Sequence, residues 1–116
     1  MSMRFTGFEH NNTMDVVEAQ AGHRTGRLVL VDVREHSERA RGFAPGSRHS
    51  PLGQLKARMD ERPADRPIAF ICQSGRRSAL ATVGARRAGL NAHNVAGGMG
   101  AWERQGLEVQ GEGRHA

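Results

Sequence analysis

The chain has 116 residues, 37% hydrophobic and 25% charged, with a net charge of +5 carried by sixteen Arg and one Lys against twelve acids. That composition describes one soluble domain with a modest, largely aliphatic core and excludes a disordered chain. One cysteine excludes an internal disulfide, and no apolar run approaches the length that spans a bilayer.

The elements follow in chain order. Residues 1–12 are polar apart from Phe5 and Phe8 and read as an N-terminal segment packed at an edge. Asn12 or Thr13 is expected to cap a helix through Met14, Val16, Val17 and Ala19 that ends near Gly22. Leu28-Val29-Leu30-Val31 has the pattern of a strand buried on both faces. Asp32-Val33-Arg34-Glu35 closes it, a short helical stretch covers His36 to Arg41, and Pro45-Gly46 marks a tight turn. Leu52, Leu55 and Met59 share a helical face, which Pro63 and Pro67 close. Pro67 to Ile71 is a second buried strand. A helix begins at Ser78, turns Leu80, Val83 and Ala88 inward, and stops at Gly89. His93 to Val95 is a third short strand, Gly97-Gly98 a turn, and Met99 to Gln105 a short helix carrying Trp102. The body of the domain is expected over 13–110, with a frayed tail at 111–116. Strands alternating with helices specify an α/β sheet covered on both faces.

Cys72 stands where the second strand stops and Gln73-Ser74-Gly75-Arg76-Arg77-Ser78 begins. In sheets of this class ligands sit beyond the carboxyl ends of strands. A thiolate needs positive surroundings, and a cysteine just before a helix meets unpaired N–H groups and the positive end of the macrodipole. Arg76 and Arg77 add two permanent charges, and no Asp or Glu occurs between Arg66 and Trp102. The segment reads as a site that stabilises negative charge on sulfur. A lone cysteine is otherwise a small buried hydrophobe. Asp32 and Arg34 read first as a structural ion pair at a strand end.

Cys72-x-x-Gly75-x-Arg77-Ser78 resembles the active-site loop of rhodanese-type sulfurtransferases. Asp32-Val33-Arg34-Glu35, then Gly42-x-x-Pro45-Gly46-Ser47 with Pro51-Leu52, then Gly89-Leu90 with Val95, Gly97-Gly98 and Trp102, are similar to further segments of that family in the same order. Phe43, Ala44 and Ser50 depart from its pattern. The resemblance implies a single rhodanese domain with a central, mostly parallel five-stranded sheet and helices on both faces. It also implies sulfane-sulfur transfer through a Cys72 persulfide with no metal and no organic cofactor.

On that reading Cys72 is the nucleophile, and Gln73, Ser74, Gly75, Arg76, Arg77 and Ser78 form the substrate loop. Asp32 and Arg34 support it. Arg76 is expected to meet a small anionic sulfur donor, Arg77 to brace the loop and depress the thiol pKa, and Ser78 to cap the helix and line the pocket. The acceptor is a thiol or cyanide, and the basic surface suits an acidic sulfur-acceptor protein. Nucleic acid is not an expected partner, because the arginines are scattered and not interleaved with aromatics. The N-terminus lacks the apolar stretch of a secretory signal, and the cytoplasm is the expected compartment. Two rivals share the features. A rhodanese-like regulatory module would use the fold without chemistry. A cysteine-dependent phosphatase or arsenate reductase would need a longer loop, whereas four residues separate Cys72 from Arg77 here.

Overall fold

Val29, Leu30 and Val31, and Ile68 through Ile71, are apolar at every position, so neither run can turn a face to water. Both lie inside the sheet with each residue buried. The computed structural model describes residues 12–61 and 65–111. Five strands form one parallel sheet: β1 (Thr13–Met14), β2 (Val29–Asp32), β3 (Arg48–His49), β4 (Ile68–Ile71) and β5 (Ala92–Val95). Their spatial order is β1-β5-β4-β2-β3, which puts β4 at the centre. Its residues Ile68 to Ile71 pair with Val29 to Asp32 on one side, and Ile68 to Phe70 pair with Ala92 to Asn94 on the other.

Period-two alternation divides the core into two layers. Leu28, Leu30, Ala69, Ile71 and Val95 face α1 (Val16–Arg24) and α5 (Gly98–Arg104). Val29, Val31, Ile68, Phe70, Cys72 and Ala92 face α3 (Leu52–Leu55) and α4 (Arg76–Arg87). The remaining helix, α2 (His36–Ala40), follows β2, and a 3₁₀ turn, Lys56–Glu61, extends α3. Trp102 is buried in the first layer, and its Nε1 donates to the Glu108 carbonyl at 2.8 Å. Truncating Phe70 or Ile71 to Ala, both with no exposure, removes about 2–5 kcal/mol.

Several sequence expectations need correction. Met14 belongs to strand β1, and Asp15 caps α1 in a reciprocal box with Glu18 (2.8 and 3.2 Å). The helix ends at Arg24, close to the expected Gly22, where a Cβ would press on Leu28 Cδ2 at 2.6 Å, so the glycine serves close packing. Helix α4 starts at Arg76, and its inward face is Ser78, Ala81, Thr82 and Ala85. Leu80 and Val83 are 65% and 49% exposed. Small side chains on the inner face let the helix lie close to the sheet, and the larger ones are displaced outward. Phe5, Phe8 and the tail beyond Gly111 lie outside the described residues.

Candidate active site

Parity fixes the direction of the thiol. Ile68 and Phe70 face α4, so Cys72, two residues on, points beneath the first turn of that helix. Gly75 caps α4 at φ +103°, a conformation glycine adopts without a Cβ penalty. The turn it makes aims donors back at the sulfur. Gly75 N–H lies 3.1 Å from Sγ, Ser78 N–H 3.4 Å, and the Ser78 hydroxyl 3.2 Å. Burial pushes the thiol up. The Ser78 hydroxyl and the N–H groups of Ser78, Gly75 and Ser74 outweigh it, and the net direction is below the ordinary value.

The start of the loop rests on α5. Met99 N–H donates to the Cys72 carbonyl at 2.8 Å and Gly100 N–H to the Gln73 carbonyl at 3.0 Å. Gly98 has no room for a Cβ, which would collide with the Cys72 carbonyl oxygen. Gly97-Gly98 is therefore more than a turn, since it lets one backbone lie directly on another.

The loop residues fall into two groups. Gln73, Ser74 and Arg76 are exposed at the mouth, and Arg76 has no ion pair among the described residues. Arg77 is engaged in a bidentate pair with Glu38 at 2.7 and 2.8 Å. That pair holds the Glu38 carboxyl down at about 2 and raises Arg77 further. No carboxylate lies near the arginines along the sequence, and the fold brings Glu38 to Arg77 from α2. Ser78 is the third residue of its helix, so it does not cap it. Its hydroxyl also reaches Asn94 Oδ1 at 2.6 Å, and Asn94 Nδ2 donates to the Gly75 carbonyl at 3.1 Å.

Asp32 and Arg34 are fully buried and form the expected ion pair. Arg34 reaches Asp32 through its own N–H, Nε and Nη2 at 2.8–3.2 Å. Arg39 joins at 3.3 Å. Arg34 also donates to the Gly42 carbonyl at 2.7 Å and to Gln73 Oε1 at 3.3 Å, which ties the pair to the loop. A cavity of about 230 Å³ opens there, lined by Arg34, Glu38, Arg41, Gly42, Gln73 and Glu103.

Sequence reasoning missed Glu38, Arg39 and Asn94. Parity with Ala92 on β5 carries a signal for Asn94, because the two share the face of the sheet that holds Cys72. Nothing in one dimension links Glu38 to Arg77 across 39 positions.

A thiol at the end of a central parallel strand, ringed by amide donors from a helix start, defines a cysteine-loop α/β domain. The Rhodanese-like domain family profile matches residues 15–105, and the chain belongs to that family. A sulfurtransferase of Allochromatium vinosum is 36% identical over 86 residues, covering 73% of this chain and 80% of the relative. The human thiosulfate:glutathione sulfurtransferase is 31% identical over 105 residues, covering 78% and 91%. A rhodanese-related protein from Thermoplasma volcanium superposes with a TM-score of 0.79 at 27% identity, covering 85% of this chain and 97% of its own. No helix among the described residues is long and apolar enough to cross a membrane.

Proposed function

We propose that the protein moves sulfane sulfur from a small anionic donor to a thiol or cyanide by way of a Cys72 persulfide. The observation that carries this reading is the convergence of Gly75 N–H, Ser78 N–H and the Ser78 hydroxyl on a single sulfur atom. The naming of the human relative for thiosulfate and glutathione supports thiosulfate as donor and a small thiol as acceptor.

In the first half-reaction Cys72 thiolate attacks the outer sulfur of thiosulfate. A new S–S bond forms, the donor's S–S bond breaks, and its electron pair leaves with sulfite. The negative charge passes to the outer sulfur of the persulfide. In the second half-reaction cyanide or a thiolate takes that outer sulfur, and the electron pair of the S–S bond returns to Sγ. The scheme is covalent catalysis in two steps and predicts ping-pong kinetics. Arg76, exposed at the mouth, meets the sulfonate of the donor. Arg77, already paired with Glu38, holds α4 against α2. Sγ has no exposure in the resting loop, so donor entry includes an outward movement of Gln73 and Ser74. An acidic acceptor protein would be drawn by the net charge of +5, and transfer to it would weaken with salt. A lone cysteine kept as a thiol suits a reducing compartment such as the cytoplasm.

Intact mass after exposure to thiosulfate is the test. A gain of one sulfur on the native chain, absent from Cys72→Ala, is expected. Unchanged mass together with hydrolysis of a phosphate ester would overturn the reading in favour of a phosphatase.

A further inference from the structure

The Ser78 hydroxyl has one proton and two acceptors. Its oxygen lies 2.6 Å from Asn94 Oδ1 and 3.2 Å from Cys72 Sγ. The orientation of the Asn94 amide is settled by its other end. The Gly75 carbonyl can only accept, so Nδ2 must face it and Oδ1 must face Ser78. Ser78 and Asn94 are both buried, so water does not supply a substitute partner for the amide oxygen. An amide oxygen is a better acceptor than a neutral thiol sulfur, and the shorter distance agrees with that ranking. While Cys72 is a thiol, the hydroxyl proton therefore lies toward Asn94. When Cys72 ionises, the charge on sulfur makes it the stronger acceptor, and the hydroxyl must turn.

We infer that Asn94 is a positioning residue that competes with the Cys72 sulfur for the Ser78 hydroxyl proton, so that this hydrogen bond is given to Sγ only while Sγ carries charge. The competition has a direction along the reaction. In the thiolate, Asn94 Oδ1 loses its donor, and part of what Ser78 offers the sulfur is spent on breaking that bond. Once a sulfane sulfur is attached, the charge lies one atom further out and Sγ is a neutral bridging sulfur. The hydroxyl then returns to Asn94. Asn94 thus withholds stabilisation from the thiolate and not from the persulfide, which keeps the thiolate reactive. Only this last step rests on the proposed sulfur transfer; the competition itself concerns the free enzyme.

The other charged or titratable groups around Cys72 leave this exchange to Ser78 and Asn94. Arg77 is bound by Glu38 and acts on Cys72 through its charge and not through a hydrogen bond, and Arg34 is bound by Asp32. Arg76 is exposed on the outer side of α4's first turn. His93, the neighbour of Asn94 on β5, follows the opposite parity; burial and Arg86 hold it down at about 4, so it is neutral near pH 7.

The test is a titration of thiolate by ultraviolet absorbance, which one cysteine and no tyrosine make free of overlap. Asn94→Leu removes the competing oxygen at similar volume and should lower the Cys72 midpoint by about one unit, the size of one charge-assisted hydrogen bond redirected. Above its midpoint, the fully formed thiolate should react with iodoacetamide about threefold more slowly, as a weaker base does. Ser78→Ala should raise the midpoint, and Asn94→Leu added to Ser78→Ala should leave it where Ser78→Ala put it. A midpoint that stays or rises in Asn94→Leu, or the same downward shift without the Ser78 hydroxyl, overturns the inference. Asn94→Ala serves the same test if the leucine variant does not melt cooperatively. Neither measurement requires sulfur transfer, so its failure and that of the proposed activity are read separately.

Discussion

Strands β2 and β4 lie side by side, and an ionisable group with no exposure stands at or just past the end of each, yet the two are built in opposite ways. Asp32 closes β2 and is met by two guanidinium groups and a backbone N–H, a full set of charge-assisted hydrogen bonds inside the protein. Cys72 follows β4 and is met by amides and one hydroxyl, with no cation hydrogen-bonded to it among the described residues. A carboxylate locked by guanidinium groups has nothing left for a ligand and holds the frame. A sulfur stabilised by dipoles is favoured as an anion without being tied up in an ion pair, and it stays free to react.

The largest break in this contrast comes from the reactive end. Gly98→Ala, whose Cβ would displace the Cys72 carbonyl, should cut thiosulfate–cyanide turnover about a hundredfold through misplacement of the sulfur. Circular dichroism should show the fold intact, and near-native turnover would show that the loop does not depend on its seat on α5. Next, Asp32→Ala leaves Arg34 and Arg39 without their counter-charge and should cost about 3–5 kcal/mol in chemical denaturation. A loss under 1 kcal/mol would mean that the frame is held elsewhere.

The pair between the two ends is sharpened by acid. The Glu38 carboxyl falls from an ordinary 4.5 to about 2 in the fold. Because the folded value is depressed, its contribution is complete above 4.5 and disappears as pH falls toward 2. Glu38 and Arg77 side chains are 27% and 35% exposed, so about 1 kcal/mol is expected after screening. Glu38→Gln should remove that much acid sensitivity between those limits. The last effect is a gain. Ser50 is fully buried and its hydroxyl has no hydrogen-bond partner among the described residues, so Ser50→Ala should raise stability by about 1 kcal/mol in the same denaturation experiment.

The legible parts of this molecule are those where the signal is local. Continuous apolar runs gave β2 and β4 within a residue or so, because a strand buried on both faces admits nothing else. The Cys72 loop stood out because glycine, arginine and serine followed a strand end. The inward face of α4 was misread because Leu80 and Val83 are more apolar than Ser78 and Thr82, whereas close approach to the sheet and sulfur selects small residues there. Glu38 and Asn94 belong to elements that fold beside the loop from far along the chain. Their contacts are tertiary, and composition or spacing near Cys72 contains no trace of them.

Having a single cysteine with no exposure bears on how this molecule meets oxidants. A sulfenate formed on Cys72 finds no resolving thiol in its own chain, so its return to the reduced form depends on an outside reductant. The burial of Cys72 is then a first protection against irreversible damage, and on the proposed function the movement of Gln73 and Ser74 that admits a donor also admits peroxide.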